Sequence, residues 1–341
     1  MVVLGFAVVF FAGIANGCVG LLVRVRRRYV VENTMVVAFL VAAAIPIVAV
    51  AALVPEWRPA VTATGWATIA TVFAFGLVWG LASTLFVFGI SSVGLSLGYA
   101  LIMGVATVAG SVVPLVRRWA TIPGPPRLLI CLGVGICVLG VSACGLAGMS
   151  RDRSRKTRAG SDGSRSSPWL SAVGVSVCVM SGLFGACINI GFDYADRISA
   201  QCISLGTEPA LATLVRWPAF YCGGYLVILA TCTWNMTRNQ TWRRFVDPGT
   251  GRDLGLAVLM GLLIFVSQVV YGLGAFWMGE LGTSMGWGVL MAVGLLVANG
   301  IGISLGEWHG AGRRAFATLC VGMCILVLGT VLLAWVAGWS A

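Results

Sequence analysis

Charge is scarce in this chain: 10% of the 341 residues are Asp, Glu, Lys or Arg. A soluble domain carries about 25%, so a soluble enzyme or a soluble binding module is excluded at the outset. Histidine is rarer still, with His309 alone, in a polar segment. That leaves little for a His-based zinc or haem site, and nothing from which to assemble a nucleophile triad. The 11 Cys contain no C-x-x-C pair. Nine, among them Cys131, Cys320 and Cys324, stand alone inside apolar runs and read as small buried hydrophobes. Neither a disulfide framework nor a metal site is expected. No G-x-x-x-x-G-K-[ST] motif occurs, which excludes an ATP-driven pump in a single chain. No residue is a candidate for covalent or acid–base catalysis, and no cofactor is implied.

What the chain has in abundance is apolar sequence (59%) and glycine (46 residues). The apolar runs are continuous rather than alternating, which excludes a transmembrane barrel and indicates helices. Ten spans are expected: Val2–Val23, Thr34–Val54, Gly65–Ile90, Gly94–Val116, Leu128–Gly148, Trp169–Gly191, Pro209–Cys232, Leu254–Trp277, Thr283–Leu305 and Ala315–Trp339. The net charge of +11 reflects arginines between these runs, where membrane orientation and not nucleic acid accounts for them. Sixteen of the 22 Lys and Arg fall in the loops after spans 1, 5, 7 and 9; five (Arg58, Arg117, Arg118, Arg127, Arg197) lie at the opposite ends. The positive-inside rule then puts both termini outside an inner (plasma) membrane. Three outer arginines, Arg117, Arg118 and Arg127, run against it. Residues 149–168, basic and Ser-rich, read as a disordered cytoplasmic linker between five-span blocks at 1–148 and 169–341.

The blocks resemble each other. Ser92–Val105 over Glu280–Val293 pairs Gly94 with Gly282, Ser96 with Ser284, Gly98 with Gly286, Met103 with Met291 and Val105 with Val293, and sets Tyr99 against Trp287. Five is odd, so two similar blocks in one chain point in opposite directions. The fold class expected is an all-α integral membrane protein of ten helices arranged as an inverted repeat, a transporter architecture with a site near the midplane. Gly76–Gly80, Gly94–Gly98 and Gly282–Gly286 each place two small residues on one helix face, a pattern for close helix packing.

Several motifs together resemble the L-rhamnose–proton symporters, in the ten-helix drug/metabolite transporter superfamily. They are Glu307-Trp308 followed by Ala311-Gly312-Arg313-Arg314; Leu205-Gly206 followed by Glu208-Pro209; Trp79-Gly80 running on to Gly94, Ser96 and Gly98; Glu32 with Pro46 and Pro55; and Asn189 and Gln268 within spans. The resemblance covers the whole chain. It implies proton-driven uptake of L-rhamnose or a related deoxysugar, with Na⁺ as the alternative coupling ion. Rival readings are another carrier of the superfamily, exporting an amine, amino acid or nucleotide sugar, or a non-transporting membrane sensor or scaffold. The absence of a carboxylate at any span centre weighs against a cation exporter. Beyond the sugar and the bilayer no partner is implied, and the chain is a monomer or a homodimer.

A sugar site needs amides or hydroxyls beside aromatic faces. Gln268 leads the candidates, with Asn189, Trp79, Trp287 and Tyr99; Asn16 and Asn299 are further intramembrane amides. Each amide competes with a plain interhelical hydrogen bond, and each ring with core packing. Arg216, seven residues into span 7 and without a family counterpart, suggests sugar hydroxyls or a sugar acid. Proton coupling or gating falls to Glu32 and Glu208 at helix mouths, Glu208 also being a helix cap by position. Glu307 with Arg313 and Arg314 forms a candidate inner gate.

Overall fold

The computed structural model describes residues 1–120, 124–158 and 168–339. Among these, ten helical segments are long and apolar enough to cross a membrane, and no strand is present. The first half holds α1 (Val2–Val25), α2 (Val31–Leu53), a short α3 (Trp57–Thr64), α4 (Trp66–Val93), α5 (Leu95–Arg117) and α6 (Gly124–Arg158). The second holds α7 (Pro168–Gly185), α8 (Cys187–Tyr194), α9 (Asp196–Ser204), α10 (Pro209–Ala212), α11 (Pro218–Arg238), α12 (Gly251–Trp277), α13 (Gly282–Ser304) and α14 (Arg313–Trp339). The chain is a multi-pass membrane protein.

The spans fall where the apolar runs place them, with three differences. Helix α6 runs on to Arg158, so the first part of the expected linker is helical and not disordered; residues 159–167 lie outside the described residues. The sixth span is three helices, broken at Ala186 and Ala195 and continuing to Ser204. The seventh is discontinuous: α10, a 3₁₀ turn at Thr213–Arg216, then α11 begun by Pro218. Arg216 therefore stands at a break, where Pro218 supplies no backbone N–H to a preceding turn, and not within a continuous helix.

Bundle packing is set by small residues. Helix α4 crosses α11 so closely that a Cβ on Gly80 would meet the Gly224 carbonyl at 2.6 Å, and one on Gly76 would collide with the Phe220 carbonyl. Gly98 abuts Ile90 of α4, Gly282 sits on Ala275, and Gly286 faces Tyr271. Gly94 is different. It has φ +94° at the α4–α5 junction and open space where a Cβ would stand, so it turns the chain and packs no helix face. Helix α1 packs on α12 and α13, and α7 packs on α4 and α5; α6 packs on α14, and α2 on α11. Each of these pairings maps onto another, or onto itself, when the first five spans are exchanged with the second five. Apolar residues on the outside, such as the Leu132, Leu139 and Leu146 stripe of α6, face the lipid. Cys131, Cys320 and Cys324 are exposed there too, rather than buried; all 11 cysteines are free.

The loops after spans 1, 7 and 9 lie at one end, here called the arginine-rich end. Its loops are tied by Asp253, whose buried carboxylate accepts the backbone N–H groups of Arg27, Arg28 and Tyr29 at 2.5–3.2 Å. Burial, and then the same carboxylate, push the Tyr29 phenol above its ordinary pKa.

Candidate functional site

Helix periodicity brings four faces together in the half of the molecule toward the arginine-rich end. On α5, Tyr99, Met103 and Thr107 share a face; on α13, Leu295, Asn299 and Gly302 do; on α6, Val141, Cys144 and Gly148 do. Helix α1 adds Asn16 and Gly17, and approaches closely because a Cβ at Gly17 would meet the Gly294 carbonyl at 2.6 Å. They enclose a cavity of about 360 Å³, continued inward by a pocket of about 80 Å³ that ends on Asn16, Thr107 and Met291.

Most of the lining is apolar, with a few polar groups whose hydrogen-bonding capacity is unspent. The Asn16 amide and the Tyr99 hydroxyl form no side-chain hydrogen bond among the described residues. Asn299 donates through Nδ2 to the Leu295 carbonyl (3.0 Å), which leaves its Oδ1 available. Thr107 Oγ1 donates to the Met103 carbonyl and keeps its acceptor lone pairs. A small number of oriented polar groups on an apolar wall, at this volume, is the composition of a small-molecule site.

The cavity mouth is charged. Arg151 pairs through Nε with Asp152 (3.1 Å) and through Nη1 with Glu307 (3.3 Å), and its guanidinium lies 4.9 Å over the Trp308 ring. Ser96 donates to Asp152 at 2.6 Å. Arg151 stands there because α6 outruns its apolar segment. Sequence reasoning placed Glu307 with Arg313 and Arg314; the structure pairs it with Arg151, and leaves Arg313 and Arg314 exposed at the start of α14.

The opposite end is shut. The Asp193 carboxylate, 2% exposed, accepts from Arg117, from Arg118 and from Thr283 Oγ1 (2.9 Å). Asn189 Nδ2 donates to the carbonyls of Gly110 (2.7 Å) and Thr283 (2.9 Å), and the Tyr271 hydroxyl donates to Asn189 Oδ1. Trp287 Nε1 donates to the Ala106 carbonyl at 2.9 Å. Asp193 thus pairs with two of the three arginines that run against the positive-inside count and offsets one of their charges. Their presence at that end was the one signal in the sequence for a buried partner.

A profile of the L-rhamnose-proton symport protein (RhaT) family matches residues 1–338. The chain belongs to this family. Its relatives include the L-rhamnose-proton symporters of Klebsiella pneumoniae (strain 342), 24% identical over 288 residues, and of Enterobacter sp. (strain 638), 23% identical over 286; each comparison covers 82% of this chain and 81% of the relative. The L-rhamnose-proton symporter of Salmonella newport (strain SL254) is 24% identical over 269 residues, 76% of either chain.

Residues of the family motifs fall in several places. Glu307, Trp308 and Ser96 line the cavity, beside Tyr99 of the repeat. Glu32 and Glu208 do not. Glu32 accepts from Asn239 and Thr241 in the first turn of α2, and Glu208 is an exposed N-cap holding the Leu211 N–H at 2.9 Å. A third group, Trp79 and Gln268, lies in a separate interior region between α2, α4, α11 and α12. Trp79 packs on Phe39, Phe220 and Tyr221. Gln268 is buried one turn from Gly272, which seats Trp217 and Phe192, and its Oε1 has no hydrogen-bond partner among the described residues. Arg216 is buried nearby, with Nη2 on Asp196 at 2.5 Å and its guanidinium 4.8 Å over Phe192. Neither Gln268, Trp79, Asn189, Trp287 nor Arg216 lines the cavity.

Proposed function

We propose that this chain is a secondary active carrier that takes up L-rhamnose or a close deoxysugar together with a proton, and that the sugar binds in the cavity between α1, α5, α6 and α13. The observation that carries the reading is the set of unspent polar groups, Asn16, Tyr99 and Asn299, on an otherwise apolar wall. Amides and a phenol suit sugar hydroxyls, and the wall around Val141 and Leu295 suits a ring face and the deoxysugar methyl. Membership of the family supplies the substrate class, and its named relatives couple to protons; nothing favours Na⁺. Arg216, the residue that suggested a sugar acid, is neutralised by Asp196 away from the cavity.

The arginine-rich end faces the cytoplasm in this reading, both termini are outside, and the conformer is open toward the inside. Two five-span blocks, 1–148 and 169–341, related as an inverted repeat and joined through 149–168, would rock to expose the cavity alternately. The reciprocal helix pairings support that arrangement. Glu307 is the carboxylate among the lining residues, and it is the proton-exchanging group of this reading. Protonation removes its charge from Arg151 and loosens the mouth.

A thermal-shift titration of the purified protein tests the site. A ligand bound only by the folded state raises the midpoint. L-Rhamnose should do so, and Asn16→Ala with Asn299→Ala should remove the shift while the unliganded midpoint holds. No shift with any deoxysugar or hexose would contradict the reading.

A further inference from the structure

The register that pairs Ser96 with Ser284 and Tyr99 with Trp287 continues along both helices. It sets Ala106 against Gly294, Gly110 against Ala298 and Ser111 against Asn299. Ser96, Tyr99, Gly294, Ala298 and Asn299 all line the cavity. Their counterparts, Ser284, Trp287, Ala106, Gly110 and Ser111, lie together at the opposite ends of the same two helices. Under the proposed inverted repeat they outline the mirror position of the cavity.

That position is closed, and the Trp287 side chain fills it. The Trp287 indole lies on Gly110 and donates to the Ala106 carbonyl. It leans edge-on against Tyr271 at 5.9 Å, as Tyr99 leans on Phe86 at 6.1 Å, yet Tyr99 borders open space and Trp287 is 2% exposed. Two hydroxyls are stranded beside this plug. Ser111 Oγ and Ser284 Oγ, on residues 0% and 1% exposed, have no hydrogen-bond partner among the described residues. Gly288 brings the helices together there, its ideal Cβ position lying 3.6 Å from Ser111 Oγ. Buried polar groups nearly always find partners, and an unpaired one is costly. Both serines stand where their counterparts, Asn299 and Ser96, face a cavity.

We infer that Ser111, Ser284 and Trp287 form a second sugar half-site, facing the other side of the membrane, which is shut here and opens when Trp287 leaves Ala106 and Gly110. Its ligand is a neutral polyhydroxylated sugar: the serines meet ring hydroxyls and the indole covers an apolar ring face. The inference rests on the cavity being the sugar site. Opening requires the Asp193 cluster with Arg117, Arg118 and Thr283 to part.

The test uses single variants Ser96→Cys and Ser111→Cys in oriented membrane vesicles, with a membrane-impermeant maleimide. Labelling is read at each position by peptide mass mapping, so the native cysteines do not interfere. Ser96→Cys should react from one face only and Ser111→Cys from the opposite face only. L-Rhamnose at ten times its Kd should slow both by about ten-fold, by mass action. Adding Trp287→Ala should speed labelling of Ser111→Cys and leave Ser96→Cys labelling no faster. Ser284→Cys is a second probe of the same region with the same expectations. If Ser96→Cys is protected by sugar but Ser111→Cys and Ser284→Cys are inert from both faces, unprotected, or labelled from the same face as Ser96→Cys, the half-site is wrong and the cavity reading stands. If Ser96→Cys reacts without protection, the cavity reading itself fails, and the half-site with it.

Discussion

The residues that matter most are polar side chains on the cavity wall that keep unused hydrogen-bonding capacity among the described residues. Asn16, Tyr99 and Asn299 hold that capacity open toward the cavity. Tyr99→Phe removes one hydroxyl and keeps the ring. A hydrogen bond contributes about 0.5–1.5 kcal/mol, so the half-saturation concentration for sugar should rise about two- to ten-fold with the maximal rate little changed, as concentration-dependent uptake will report. Glu307→Gln keeps an acceptor for Arg151 but cannot release a proton. It should abolish accumulation against a gradient and preserve exchange of labelled for unlabelled sugar, a split that counterflow assays resolve. Tyr99, Asn16 and Asn299 were legible in the sequence, as an aromatic in a repeat and as amides inside apolar runs. Arg151 was not. It sits in a stretch with the composition of a solvated linker, and only the helical continuation of α6 to Arg158 carries it over Trp308. Gln268 and Trp79 were legible as unusual residues, but their place away from the cavity depends on how α4 rotates against α11 and α12 against α1 and α2, which a one-dimensional pattern does not encode.

At the scale of elements, small residues decide which helices touch. The α4–α11 crossing leaves no room for a side chain at Gly80, so Gly80→Leu should overpack it at a cost of about 1–3 kcal/mol, seen as a lower thermal midpoint in detergent. Gly94→Ala tests a different cause. An added Cβ would meet no neighbour, and the cost arises from φ +94° with ψ +156°, where an L side chain is strained by about 1–3 kcal/mol. The same G-x-x-x-G text thus marks a helix crossing in one place and a chain turn in another, and hydropathy alone does not separate them. The Asp253 latch belongs to this scale as well. Asp253→Ala leaves three successive backbone N–H groups of the α1–α2 loop without their acceptor. Limited proteolysis should then cut between Arg26 and Tyr29 several-fold faster than in the parent protein, because each lost bond costs about 1–3 kcal/mol where water cannot replace it.

For the whole molecule, the two ends are unlike. One holds a cavity behind an Arg151–Glu307 mouth, and the other is sealed through Asp193, Asn189 and Trp287. Under the proposed inverted repeat, such unlike ends are what a carrier on one side of its cycle would present. The asymmetry is invisible in sequence, since Ser92–Val105 and Glu280–Val293 share paired glycines and a paired serine yet end in unlike surroundings; the ten spans are plain there, since each apolar run is long enough to cross a membrane. The central claim is coupled sugar transport through the cavity, and the most direct measurement is uptake of labelled L-rhamnose by proteoliposomes under an imposed pH gradient. Accumulation above the external concentration, collapsed by a protonophore and lost in Asn16→Ala with Asn299→Ala, is the predicted result. Uptake that ignores the pH gradient, or that survives loss of both amides unchanged, would contradict the account.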